Sequence, residues 1–106
     1  MSYPRMHLNA VLLADGTVFV TGGGRKREYG RPVKAAELFD PLTETWTTVA
    51  AQRAPRAYHS TAVLLPDGRV LSAGHDNGRR STMAEVYSPP YLFRGPARPS
   101  PRRSTV

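Results

Sequence analysis

Cysteine is absent from the 106 residues. Disulfides, thiolate metal sites and cysteine nucleophiles are therefore excluded within the chain. No apolar run approaches the roughly 18 residues that a membrane-spanning helix requires, so no membrane partner is expected. The opening residues, Met1-Ser2-Tyr3-Pro4-Arg5, lack the apolar core of a secretory signal. Acidic residues are few, with 8 Asp and Glu against 15 Lys and Arg and a formal charge of +7. Such an excess permits contact with nucleic acid but does not establish it. The basic residues clump at Arg25-Lys26-Arg27, at Arg79-Arg80, and at Arg94, Arg98, Arg102 and Arg103. Aromatic residues of the kind on which single strands stack are not interleaved with them. Solvated loops are the simpler reading, and nucleic acid is disfavoured as a partner. No P-loop, dinucleotide fingerprint or serine-nucleophile motif is present.

Apolar residues make up 40% of the chain, and 9 Gly and 10 Pro punctuate it. That composition suits short elements joined by many turns, and it disfavours long helices. The strongest feature is an internal repeat. His7-Leu8-Asn9-Ala10-Val11-Leu12-Leu13-Ala14-Asp15-Gly16-Thr17-Val18 aligns with His59-Ser60-Thr61-Ala62-Val63-Leu64-Leu65-Pro66-Asp67-Gly68-Arg69-Val70 at an offset of 52. Gly22 and Gly74 keep that offset, and Ala36-Glu37-Leu38-Phe39-Asp40-Pro41 aligns with Ala84-Glu85-Val86-Tyr87-Ser88-Pro89 at 48. A period near 50 points to kelch-type propeller blades.

The local chemistry agrees. Asn9 to Ala14 reads as a strand, Asp15-Gly16 as a two-residue type I′ turn, and Thr17 to Thr21 as the returning strand. Lys34 to Phe39 and Thr45 to Val49 complete the first unit, and Trp46 is expected to pack against the next blade. The second unit repeats the plan over Thr61 to Leu65, Arg69 to Ala73 and Ala84 to Tyr87. The apolar runs of the first strands suggest burial on both faces. The fold class is all-β, with about two four-stranded antiparallel blades of an incomplete β-propeller. Residues 1–91 form this partial propeller. Residues 92–106 are Pro-, Arg- and Ser-rich and read as a disordered basic tail or a truncated linker. Closed propellers have roughly four to eight blades, so the missing blades come from elsewhere or from self-assembly.

The string Arg56-Ala57-Tyr58-His59-Ser60, followed by Leu64-Leu65-Pro66-Asp67-Gly68-Arg69-Val70-Leu71-Ser72-Ala73-Gly74, resembles the last propeller blades of the galactose oxidase and glyoxal oxidase family. Ala84-Glu85-Val86-Tyr87-Ser88-Pro89-Pro90-Tyr91-Leu92-Phe93 resembles that family's exit towards an immunoglobulin-like C-terminal domain. The resemblance covers residues 5–99. It implies a mononuclear copper site to which Tyr58 contributes an axial ligand and His59 an equatorial one. Tyr58 would also be the catalytic base that takes the alcohol proton. The family's second tyrosine, thioether-bonded to a cysteine, is the radical site, and its second histidine lies in the C-terminal domain. The chemistry implied is oxidation of a small alcohol, aldehyde or carbohydrate, with dioxygen reduced to hydrogen peroxide.

Without cysteine the thioether-linked radical cannot form in this chain. The sequence therefore reads as a fragment, inactive alone, of a copper oxidase whose parent is secreted by family resemblance. Its partners would be the missing blades and C-terminal domain. Copper is expected in the intact parent and not in this chain by itself. Tyr29, Tyr87 and Tyr91 have no claim to be the radical tyrosine. The alternative is a non-catalytic kelch-repeat interaction module. His7 stands where His59 stands but follows Met6, so a histidine there is partly a fold feature. His75 reads as a solvent-facing loop residue. Glu37 and Glu85, at equivalent strand positions, read as a repeated buried ion-pair or hydrogen-bond anchor.

Overall fold

The computed structural model describes residues 1–26, 30–74 and 84–93. Among the described residues, short segments between turn residues form nine strands, in two sheets that stand as successive blades and a small hairpin. The first blade has the order β1 (Asn9–Leu12), β2 (Val18–Thr21), β5 (Ala36–Asp40) and β6 (Thr45–Val49), antiparallel throughout. The second has β7 (Thr61–Leu64), β8 (Val70–Ala73) and β9 (Glu85–Tyr87), three strands among the described residues. Between β2 and β5 the chain folds into a hairpin of β3 (Gly24–Lys26) and β4 (Gly30–Pro32). Arg25 and Lys26, expected in a loop, lie exposed on β3. Arg27, Arg79, Arg80 and residues 94–106 lie outside the described residues.

The turns between paired strands differ from the expected type. Leu13 N–H donates to the Thr17 carbonyl at 2.8 Å, and Gly16 N–H donates to the Leu13 carbonyl at 3.0 Å. Gly16 has φ 87°, and Asp15 is not among the positive-φ residues. The loop is therefore a three-residue one closed by a left-handed glycine, not a two-residue type I′ turn. Leu65, Gly68 and Arg69 repeat the arrangement. The aspartates act through their side chains, with the Asp15 and Asp67 carboxylates each accepting the N–H two residues on.

Register assigns each side chain to a face. One face of the first blade carries Val11, Phe19, Ala36, Leu38 and Val49. The facing side of the second carries Ala62, Leu64, Val70 and Tyr87. Together these form one core, with Leu13, Tyr91 and Leu92. Phe19 stacks on Tyr87 across it at 4.3 Å between ring centroids. The 3-10 turn Pro90–Phe93 seats Tyr91, whose hydroxyl donates to the Gly68 carbonyl.

Polar groups also cross between the blades. Asn9 donates to the Ser60 hydroxyl at 3.0 Å, and the Gln52 amide donates to the hydroxyls of Thr21 and Ser72. Burial of the first strands on both faces, and contact of Trp46 with the next blade, are not observed. Leu12 and Val63 are exposed, and Trp46 packs on Phe39 of its own blade at 4.9 Å. Each described blade has one neighbour, which covers only one of its faces.

Candidate functional site

Each blade begins with a lead-in segment that holds the same two features. A Pro-Arg pair comes first, at Pro4-Arg5 and at Pro55-Arg56. The Arg5 guanidinium donates to the Glu37 carboxylate at 2.9 Å and to the carbonyls of Gly22 and Ala35. Both side chains of that pair are wholly buried. Arg56 donates to Glu85 at 3.1 Å and to the Gly74 carbonyl. Glu85 also accepts the N–H groups of Arg53 and Ala54. Desolvation pushes the Glu85 carboxyl up, but these two N–H bonds and the Arg56 cation outweigh it and hold the group below its usual value. The expected anchoring role of Glu37 and Glu85 is what the structure shows. The arginine partners were missed, although the recurring Pro-Arg pair was there to be read.

Next comes the histidine. Ser60 N–H donates to the Ala57 carbonyl at 3.1 Å, closing a turn with Tyr58 and His59 at its centre. His59 has φ 62°. A positive φ at the third turn position is the type II arrangement, which favours glycine and strains a histidine. The turn has a direct consequence for the site. Adjacent residues on a regular strand point to opposite faces. Here the Tyr58 and His59 rings instead stack side by side, 3.8 Å apart and 29° from parallel. The bend that a shared ligand would need is present.

His7 has φ 56°, so the left-handed histidine belongs to the blade plan. Its ring meets the Tyr58 ring edge-on at 5.0 Å. Three rings from two blades thus gather at one end of the molecule, with Tyr58 half-buried and both histidines exposed. What sets the second lead-in apart is Tyr58 where the first has Met6. Among the described residues, no group of three or more His, Cys, Asp or Glu side chains could hold a metal ion. By donor type the His59 imidazole suits copper, and the Tyr58 phenol beside it carries an oxygen donor. His75 and Tyr29 lie outside the described residues. Tyr87 and Tyr91 sit in the inter-blade core, away from this cluster.

Comparison with known proteins agrees with the blade architecture. Residues 5–51 match the Kelch motif. A galactose oxidase of Gibberella zeae is 34% identical over 98 residues, covering 86% of this chain and 14% of that protein. An aldehyde oxidase of Vitis pseudoreticulata is 33% identical over 110 residues, covering 88% of this chain and 21% of its own length. A solved structure of a fungal alcohol oxidase of the AA5 family, in complex with copper, matches with a TM-score of 0.82 at 35% identity. That match covers 90% of this chain and 21% of the other. The chain thus spans between 14% and 21% of the length of these relatives. A Kelch motif, together with this similarity to galactose and aldehyde oxidases over most of its length, makes the chain a galactose oxidase-like kelch-repeat sequence.

Proposed function

We propose that this chain supplies the Tyr58–His59 corner of a mononuclear copper site in an oxidase of small alcohols or aldehydes. The observation that carries the reading is the turn that brings these two adjacent rings to one side. Copper, when bound, supplies two-electron oxidation of the substrate with reduction of dioxygen to hydrogen peroxide. The chain's own residues do the rest. The His59 imidazole and the Tyr58 phenol oxygen would hold the metal. Tyr58, with its phenol oxygen at the metal, would be the group that takes the proton of the substrate hydroxyl. His7 stands edge-on to the phenol ring, 5.0 Å away between centroids. Two donors leave the ligand set incomplete, and the chain has no cysteine for a thioether-linked radical. By itself the chain therefore neither holds copper tightly nor turns over. The remaining blades and a C-terminal domain complete the site.

The test is a graft. Residues 5–93 replace the matching segment of the copper-bound fungal alcohol oxidase, and folding of the chimera is confirmed by a cooperative melt. A folded chimera is expected to take up copper and produce hydrogen peroxide. His59→Ala should lose the copper and Tyr58→Phe the activity, while His7→Ala keeps the metal. A folded chimera whose copper content ignores His59→Ala would refute the reading and leave the kelch interaction module in its place.

A further inference from the structure

The two lead-ins are anchored alike but differ in length. Pro4-Arg5 aligns with Pro55-Arg56 at an offset of 51, whereas His7 aligns with His59 at 52. The second blade therefore has one residue more between its arginine and its left-handed histidine. In the first blade the single intervening residue, Met6, is bonded to Gly24 through both its N–H and its carbonyl. In the second, Ala57 and Tyr58 intervene, and Ser60 N–H closes a turn on the Ala57 carbonyl. The extra residue is thus taken up in the turn that carries Tyr58 and His59.

That turn stands between held points. Behind it is Glu85, whose carboxylate accepts the Arg53 N–H at 2.6 Å, the Ala54 N–H at 3.3 Å and the Arg56 guanidinium at 3.1 Å. The Arg56 side chain is wholly buried and also reaches the Gly74 carbonyl. The Arg56 carbonyl in turn accepts the Gly23 N–H at 2.7 Å. Ahead of the turn, the Ser60 hydroxyl accepts from Asn9 at 3.0 Å.

We infer that Arg56 and Glu85 are positioning residues for the Tyr58–His59 corner, the buried pair holding the start of the turn so that the phenol and the imidazole stay on one side. Neither is a ligand, and each acts through the turn. A group that orients a ligand without touching the metal typically contributes about 10- to 100-fold to metal affinity. Arg5 and Glu37 make the same anchor behind Met6 and His7, so the first blade is an internal control with the same ion pair and no tyrosine. The inference rests on the copper reading for what the corner does, but not for how the corner is held.

The metal-free test is proton NMR of the full chain. The His59 ring lies 3.8 Å from that of Tyr58, so its protons carry a ring-current shift. The Ser60 amide is protected from exchange by its bond to Ala57. Glu85→Gln keeps the size of the side chain but removes the charge and one acceptor oxygen. It should reduce the His59 shift and speed Ser60 exchange. Glu37→Gln, the same change at the equivalent position, should leave both as they are. Glu85→Asp keeps the charge but draws it back by one methylene; it should act in the same direction, and it replaces Glu85→Gln if that variant does not fold. Equal losses in the Glu85 and Glu37 variants, or none in either, overturn the inference.

The copper test uses the grafted oxidase. Glu85→Gln should raise the copper dissociation constant by about 10-fold or more, and Glu37→Gln should not change it. If His59→Ala loses the copper while Glu85→Gln binds it as tightly as the unsubstituted graft, the pair does not position the site. Copper indifferent to His59→Ala would instead sink the copper reading, and the NMR comparison would still decide how the turn is held.

Discussion

Arg5 and Glu37 form a wholly buried ion pair at 2.9 Å that ties the lead-in of the first blade to its third strand. Glu37 also accepts the Ser2 N–H, and Arg5 also caps two carbonyls. The charges are therefore matched and hydrogen-bonded, the condition under which burial of an ion pair is tolerated. Desolvation pushes the Arg5 guanidinium below its usual value, against the opposing pull of Glu37.

Removing one partner should be costly and removing both much less so. Arg5→Met or Glu37→Leu leaves an uncompensated buried charge, with an expected loss of about 3–5 kcal/mol. The double variant leaves none and should recover most of that loss. A double-mutant cycle by urea unfolding measures the difference. Additive losses would show that the pair does not act as a unit.

Glu85 gives the fold a pH dependence of definite sign. Its folded value lies below the ordinary 4.5. The stability it contributes is therefore complete above the ordinary value and is lost as pH falls through the depressed folded one. Glu85→Gln should lower stability at neutral pH and flatten the acid side of the profile. Urea midpoints of both proteins, followed from neutral to strongly acidic pH, should converge at the acid end.

Gly22 and Gly16 both adopt positive φ, at 75° and 87°, but in different surroundings. A Cβ at Gly22 would lie 2.5 Å from the Arg56 carbonyl oxygen, whereas one at Gly16 meets nothing within 4 Å. Gly16→Ala pays only for the left-handed backbone, about 1–2 kcal/mol. Gly22→Ala must also displace the lead-in of the next blade, and the Gly23–Arg56 backbone bond with it. Thermal melts should therefore rank Gly22→Ala well below Gly16→Ala.

Much of the architecture was legible in the sequence because a repeat states its elements twice. The strands Asn9–Leu12 and Thr61–Leu64 fall where apolar runs lie ahead of turn signals. The turn type was misread because Asp-Gly fits both a two-residue and a three-residue loop. The deciding hydrogen bond, Gly16 N–H to Leu13, is invisible in composition. Burial of the first strands was overestimated because an apolar run records the surroundings that a strand suits. At Leu12 and Val63 no described blade provides them. At the candidate site, Tyr58 and His59 could be named from their context. The edge-on approach of His7 could not, since it depends on two blades meeting.

The backbone and ligand roles of His59 should separate under substitution. Its φ of 62° costs any L-residue about 1–2 kcal/mol relative to glycine's freedom there. His59→Ala and His59→Gly both remove the imidazole and its stack on Tyr58. They differ only in whether the strained backbone is relieved, so His59→Gly should be the more stable of the two by about 1 kcal/mol. The same ordering should hold for His7→Gly over His7→Ala, because that turn shares the conformation. Copper in the grafted oxidase should follow a different rule, lost in both His59 variants and kept in both His7 variants. Melting temperatures of the four variants and copper content of the four grafts decide the matter together. If copper tracked stability across all four, the histidines would serve the turn alone, and the ligand role of His59 would fall.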